Sequence, residues 1–547
     1  MKQMPSVRKK IMFISPHAGI WPHALPESFL AKCLDPLLFD VSRIKCDGTF
    51  RSHCTVMEAY SLEIQETQKL KDVICKQCKK NSEILRTSYA GKDFLISNYL
   101  NKEDEAQVEE IFSALNKADI QKLTYQGVDV GKIAAYEALI KFKKTSLNFN
   151  DIEFFFFETY IKNALLSLIA FIRIYNEEQS DILIAYSPQY AVLGVCARYF
   201  ELRGKKVYFI EGSSNIEERY GALRIWDWTE FGLTNPALAY WDDFVYKTLL
   251  GLDYTRVEKH INRLLNASSF SVYSAPVTGQ FDMRKHFGIP PNVKVVMAAM
   301  SSYDEVFSAF YISRFPEKKY ISNVFKDQLE WIKATINFFS EHPELFLIVR
   351  IHPRTFPSER NAVMAQEQVD LADILARLPN NVRVNLPTDK ISIYDLYGQL
   401  DALVTGWSAT GVEAMTFNVP VITYDQNLPS YPESIHFTGS SRVEYYNNLI
   451  KASSVGKCVS ISDGSRRWLA FSMSVGVVRH PTMLNNFNLV RDHNAIKFLY
   501  RGFNRLFPNF IKRIEKCQKI QQEEAQRVNV LLQSSGKSLY DIPRVSR

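Results

Sequence analysis

The chain has 547 residues, more than one hydrophobic core organises, so two or more domains are expected. With 46% hydrophobic and 23% charged residues, the composition excludes a disordered polymer. A formal net charge of +7 is too small to make nucleic acid the main partner, but it suits an anionic ligand or an anionic membrane surface.

Met1 to Lys10 is charged, and the apolar Ile11 to Ile14 behind it is strand-sized, too short for a signal-peptide core. Lys10 to Ser15 reads as a strand, Pro16 to Pro26 as a loop, Glu27 to Leu37 as a helix and Phe39 to Ile44 as a second strand. This βαβ opening implies a parallel sheet with helices on its faces. From Cys46 to about Asn150 the pattern turns polar and helical, as an insertion into that sheet would. The longest uncharged apolar run, Ala164 to Ile172, is bounded by Lys162 and Arg173 and falls short of the roughly 20 residues that span a bilayer. A cytoplasmic chain with reduced or metal-bound cysteines is therefore expected.

The βα rhythm resumes with a strand at Asp181 to Ala185, a helix at Tyr190 to Leu202 and a strand at Lys206 to Ile210. Ser274 to Pro291 is rich in proline and glycine and is the expected interdomain linker. Beyond it, strands are predicted at Val293 to Ala299, Leu345 to Ile351, Val382 to Asn385, Ala402 to Val404 and Val419 to Tyr424. Helices are predicted at Phe325 to Ser340, Asn361 to Leu378, Ile393 to Leu400 and Gly411 to Phe417. The expected architecture is α/β. It has a Rossmann-like domain over 1–275 with a helical insertion at about 46–150, a second doubly wound domain over 276–490, and a helical tail over 491–547. The two domains would face a cleft, with the site at the C-terminal ends of their strands.

Two segments carry the strongest chemical signal. Arg350, His352 and Arg354 alternate at the end of a predicted strand, which places all three on one face and suits a phosphate or nucleotide; an ordinary His-Pro turn has the same sequence. Ser408, Thr410 and Gly411 open a predicted helix, with Glu413 in its first turn. Hydroxyls and free backbone N–H groups there can cradle a diphosphate, and the carboxylate can accept from a ribose; a plain N-cap has the same pattern.

Cys46, Cys54, Cys75 and Cys78 include a Cys-x-x-Cys pair and read either as a structural zinc site or as buried free thiols. Cys33, Cys196, Cys458 and Cys517 are isolated and read as packed. Between Lys497 and Ile520, basic and aromatic residues interleave, which fits docking on an anionic membrane or packing back onto the protein.

The stretches Val349-Arg350-Ile351-His352-Pro353-Arg354, Ser392-Ile393-Tyr394-Asp395-Leu396-Tyr397, Asp401 to Ala414 and Asn418-Val419-Pro420-Val421-Ile422 resemble the C-terminal domain of GT-B glycosyltransferases, closest to the bacterial capsule and lipopolysaccharide biosynthesis group. The resemblance spans about 200 residues well and the first half more loosely. It implies transfer of a sugar from a nucleotide-activated donor, a CMP-sugar such as Kdo or an NDP-sugar, to a surface glycan or lipid-linked acceptor at the inner face of the membrane. It implies that His352 and the Ser408/Thr410 turn hold nucleotide and phosphates, that Glu413 takes a ribose, and that Ser301 and Ser302 lie in a small-residue loop near the phosphates. No Asp-x-Asp pair stands where a cation would be held, so no cofactor is expected for catalysis, and Arg350 and Arg354 would offset the leaving phosphate. His17 lies where inverting members carry their base, with His23 and Glu211 in reserve; in a retaining enzyme Glu211 would be nucleophile or stabilising carboxylate. The alternatives are a nucleotide-sugar epimerase or polyol-phosphate transferase of the same fold, and a non-catalytic glycan-binding or scaffold protein.

Overall fold

The computed structural model describes residues 8–542 apart from 115–116, 118, 216–220, 231–236, 246–253, 268–272, 313–321, 358–360, 429–430, 458 and 480–509. Among the described residues twelve strands form two sheets. They are β1 Lys9–Ile14, β2 Phe39–Lys45, β3 Asp93–Leu95, β4 Ile182–Tyr186, β5 Lys206–Gly212, β6 Ala222–Asp227, β7 Lys294–Ala299, β8 Leu345–Arg350, β9 Val382–Asn385, β10 Ala402–Thr405, β11 Val421–Thr423 and β12 Val477–Arg479.

The first sheet runs β3-β2-β1-β4-β5-β6-β12, and the second β9-β8-β7-β10-β11. Counted along the chain, both contain the order 3-2-1-4-5, the doubly wound plan. All pairs in the second sheet are parallel. In the first sheet β6 pairs antiparallel with β5 and β12 antiparallel with β6, so an otherwise parallel sheet carries an antiparallel edge. The strands form where the sequence is a short, continuous apolar run. Every residue of Ile182–Tyr186 and of Leu345–Arg350 is buried, as helices on both faces of a parallel sheet require.

The chain divides into two compact units, one of 1–138, 148–230 and 475–547, the other of 139–147 and 231–474. This corrects the expected boundaries. The Pro/Gly-rich stretch 274–291 lies inside the second unit, where the Thr278 and Gly279 N–H groups donate to Asp395. The C-terminal part is not a separate tail either: β12 joins the first sheet, and Val528, Leu531, Leu532 and Leu539 enter its core beside Ile11, Phe13 and Ile184. The basic and aromatic stretch from Lys497 falls on 497–509, which lie outside the described residues, and on 510–520, where only the backbone of the helix Phe510–Ser534 is described. Cys458 and Cys517 also lie outside the described side chains.

Between β2 and β4 the polar, helical segment includes helices Thr55–Ala59, Gln68–Leu85 and Lys102–Ala114, as its composition predicts, together with the short strand β3. The helix Asp151–Glu178 is long and apolar enough to cross a membrane, but 72% of its most apolar window is buried inside the protein. It begins in a reciprocal cap: Asn150 accepts from the Glu153 N–H at 3.0 Å, and Glu153 accepts from the Asn150 N–H at 2.9 Å.

Candidate functional site

In the second sheet the strand order reverses between β7 and β10, and a crevice forms outside the C-terminal ends of such a pair. β7 leads through Ser301 and Ser302 into the helix Tyr303–Tyr311, and β10 leads through Gly406 to Ser408 into the helix Ala409–Thr416. Two helix N-termini, each with a partial positive charge, therefore start at the reversal point. Thr405 ties the two strand ends together by donating from Oγ1 to the Ala299 carbonyl at 2.9 Å.

The loops are fixed from behind. Gln328 accepts from the Ser301 N–H at 2.8 Å and donates to the Ser301 carbonyl at 3.0 Å, while the Ser301 hydroxyl is buried without a partner among the described residues. Ser408 is the N-cap of its helix and accepts from the Thr410 N–H at 3.2 Å. Gly411 is confined to glycine, because a Cβ there would stand 2.0 Å from the Tyr431 hydroxyl oxygen.

His352 follows β8 and caps the turn Pro353–Thr355. Its Nδ1 accepts from the Arg354 N–H at 3.2 Å and lies 3.0 Å from the Ser302 hydroxyl. The Arg354 N–H can only donate, so Nδ1 must be the acceptor and the ring proton sits on Nε2. Nε2–H then has no partner among the described residues. Burial, followed by the charges of Arg354, Arg350 and Lys143, pulls the His352 pKa down to about 3, so the ring is neutral and its surroundings are electropositive.

The predicted alternation of Arg350, His352 and Arg354 on one face does not hold, because the strand ends at Arg350 and the chain turns at Pro353. Arg350 donates from Nη2 to the Ile391 carbonyl at 3.1 Å and from Nη1 to Asn385; burial lowers its pKa to about 10. Arg354 pairs with the buried Asp304, reaches Glu305 at 3.4 Å and donates to the Ile140 carbonyl at 3.1 Å. Both guanidiniums are thus occupied by the protein. Lys143 donates to the Phe356 carbonyl at 3.1 Å, and burial lowers its pKa to about 8.

Glu413 accepts from the Tyr394 hydroxyl at 3.2 Å, and burial raises its pKa to about 7. Between the ordinary 4.5 and about 7, the folded protein holds a proton that the unfolded chain has released, so this carboxyl makes stability fall as pH rises through that interval. Glu413→Gln, which mimics the protonated form, is expected to match wild type near pH 4. At about pH 9 it should be more stable by at most about 3 kcal/mol. Urea unfolding at both pH values checks this, and an equal difference at the two would refute it.

In the first unit the corresponding reversal lies between β1 and β4. His23 stacks on Tyr186 at the end of β4, with ring centroids 4.2 Å apart. Glu211 lies in an ion pair with Arg224 at 3.2 Å across the β5–β6 ladder and accepts from the Trp226 indole at 3.2 Å. His17 follows β1. Its Nε2 is buried without a partner among the described residues, and burial lowers its pKa to about 4. Cys46, Cys54, Cys75 and Cys78 are free thiols that all line one cavity of about 20 Å³, and His17 lines it too. Among the described residues no group of three or more His, Cys, Asp or Glu side chains is already arranged to hold a metal ion.

Sequence reasoning places His352, Ser301, Ser302, Ser408, Thr410, Gly411 and Glu413 around β7, β8 and β10. It misses Gln328, Asp304, Lys143 and Tyr394. Asp304, two residues past Ser302, was within reach of a charge-pairing argument with Arg354. Lys143 was not, because its segment 139–147 joins this unit from far upstream.

No protein-family model matches the chain, and no curated protein matches it. Solved structures match the chain at low identity and low TM-score. The β-Kdo 2,7 transferase KpsC of Thermosulfurimonas dismutans is 13% identical over 59% of this chain and 88% of its own, with a TM-score of 0.32. The calicheamicin glycosyltransferase CalG4 is 8% identical over 86% and 95%, with a TM-score of 0.25. A UDP-GlcNAc 2-epimerase of Neisseria meningitidis bound to UDP-GlcNAc is 8% identical over 84% and 94%, with a TM-score of 0.25.

Proposed function

We propose that the chain is a glycosyltransferase whose second unit binds a nucleotide-activated sugar at the β7/β10 reversal. The observation that carries this reading is the His352 ring. Nδ1 is occupied by Arg354 N–H and faces Ser302, so a neutral Nε2–H is left as a donor in a field set by three fixed cations. Such a donor binds an anion without a proton having to move, and it strengthens as negative charge develops on the phosphate that leaves the sugar. Ser408 adds a cap that an anion can displace, since its hydroxyl only stands in for an acceptor in front of the Thr410 N–H.

In the proposed reaction an acceptor hydroxyl attacks the anomeric carbon, the bond from that carbon to the phosphate oxygen breaks, and the electron pair stays on the phosphate opposite His352. The hydroxyl proton goes to a base. Neither Glu211, held by Arg224 and Trp226, nor His17, which lines the cysteine cavity, is assigned that task. Glu413, with Tyr394 behind it, is the ribose acceptor. The finer reading, transfer to a capsule or lipopolysaccharide glycan at the inner membrane face, rests on the sequence resemblance around His352 and Ser408.

The test is thermal unfolding with CMP, UDP, GDP and CDP, followed by donor consumption with the matching sugar nucleotides. One nucleotide at 100 times its Kd is expected to stabilise the fold by about 2.7 kcal/mol. No stabilisation and no turnover across the panel would overturn the proposal. Isomerisation of the sugar without an acceptor would replace it with an epimerase.

A further inference from the structure

The cavity beside β1 has features that donor binding does not use. Cys46, Cys54 and Cys78 come from three separate segments: the end of β2, the residue before the helix Thr55–Ala59, and the helix Gln68–Leu85. Backbone N–H groups aim at two of the sulfurs: Cys46 accepts from Gly48 at 3.4 Å and Cys78 from Gly19 at 3.1 Å. A neutral thiol is a weak acceptor, whereas a metal-bound thiolate is a strong one that such N–H groups stabilise.

His17 comes from the loop that supplies the Gly19 N–H. The loop is held against the cysteine helix so closely that a Cβ on Gly19 would stand 2.3 Å from Val56 and 3.4 Å from Cys78. The cavity volume of about 20 Å³ suits one small ion. Cys75 lines the same cavity, but it is half-buried beside Lys79 and Asp72, whereas Cys54 and Cys78 are deeply buried.

We infer that Cys46, Cys54, Cys78 and His17 Nε2 form a binding site for one thiophilic divalent ion of the zinc type, with Cys75 outside the ligand set. Three sulfurs and one imidazole are a soft, four-coordinate donor set that selects zinc or cobalt over magnesium or calcium. On binding, three thiols release their protons to solvent and three S–metal bonds and one N–metal bond form. The complex carries a net charge of −1, which the backbone N–H groups face. The ligands ring the cavity without being gathered on a centre. Cysteine χ1 rotations within the cavity would close them on the ion. The site would pin the β1 loop to the insertion between β2 and β4, a structural role independent of donor chemistry.

The experiment is a Co²⁺ titration of the full chain after treatment with a chelator, read by absorption and needing no sugar donor. One equivalent is expected to bind, with sulfur-to-cobalt charge-transfer absorption and the visible bands of a tetrahedral ion. Cys78→Ser and His17→Gln should each weaken binding by at least about tenfold, whereas Cys75→Ser should bind as wild type does. Failure of the wild-type chain to take up one equivalent would overturn the site. A His17→Gln chain that binds normally beside a Cys75→Ser chain that does not would overturn the assignment of His17. Neither result bears on nucleotide binding in the second unit.

Discussion

Replacing His352 by asparagine is expected to lower donor kcat/KM by about 10² to 10³-fold while leaving the fold intact. The asparagine Oδ1 falls near the position of Nδ1 and can still accept from the Arg354 N–H, so the cap on the turn Pro353–Thr355 survives. What disappears is the Nε2–H, the one polar group of this ring that the protein leaves unoccupied among the described residues. His352→Gln places a polar group near Nε2 but abandons the cap, so it should recover part of the rate at some cost in stability. The same assay should show no pH limb from His352 at neutral pH, because its pKa of about 3 keeps the ring neutral there. An asparagine variant with wild-type kcat/KM would place the donor elsewhere.

Arg354→Met is expected to destabilise the second unit by about 3 to 5 kcal/mol, measured by denaturant unfolding at neutral pH. Asp304 is only 2% exposed, and burial pushes its carboxyl up while this guanidinium opposes the rise. Without Arg354 its pKa would rise further. The folded state would then keep a proton that the unfolded chain loses, so the penalty should shrink as pH falls. The double change Arg354→Met with Asp304→Leu removes both charges and should recover most of the loss. Arg442 and Glu330 form a pair in which both side chains are more than a third exposed, and breaking it should cost less than about 1 kcal/mol. An Arg354→Met chain as stable as wild type would show that the pair contributes nothing and that Arg354 is free to serve a ligand.

Each strand that frames the β7/β10 reversal was legible because it is a short apolar run, and short apolar runs between turn residues have few other folds. Leu345–Arg350 and Ala402–Thr405 are of this kind, and the expected boundaries fall within a residue or two. The Ser408 N-cap was legible for a related reason, since a cap depends only on the residue and the turn that follows it. The roles of the arginines were not. Alternation along a strand predicts a shared face only while the strand lasts, and β8 stops at Arg350, ahead of the turn that Pro353 opens.

The sequence by itself therefore determined the two βα series, the polar insertion and the residues that close on the β7/β10 reversal, because hydrophobic period and capping are set by neighbours along the chain. Tertiary structure decided which distant segments return. It placed 139–147 in the second unit, where Ile140 and Lys143 contact the loops after β8, and it placed β12 and the C-terminal helix in the first. It also set the Ser302 hydroxyl on His352 across 50 residues and gathered His17 with four cysteines around one cavity. Those pairings depend on which surfaces bury each other, a free energy summed over the whole core that no local window of sequence contains.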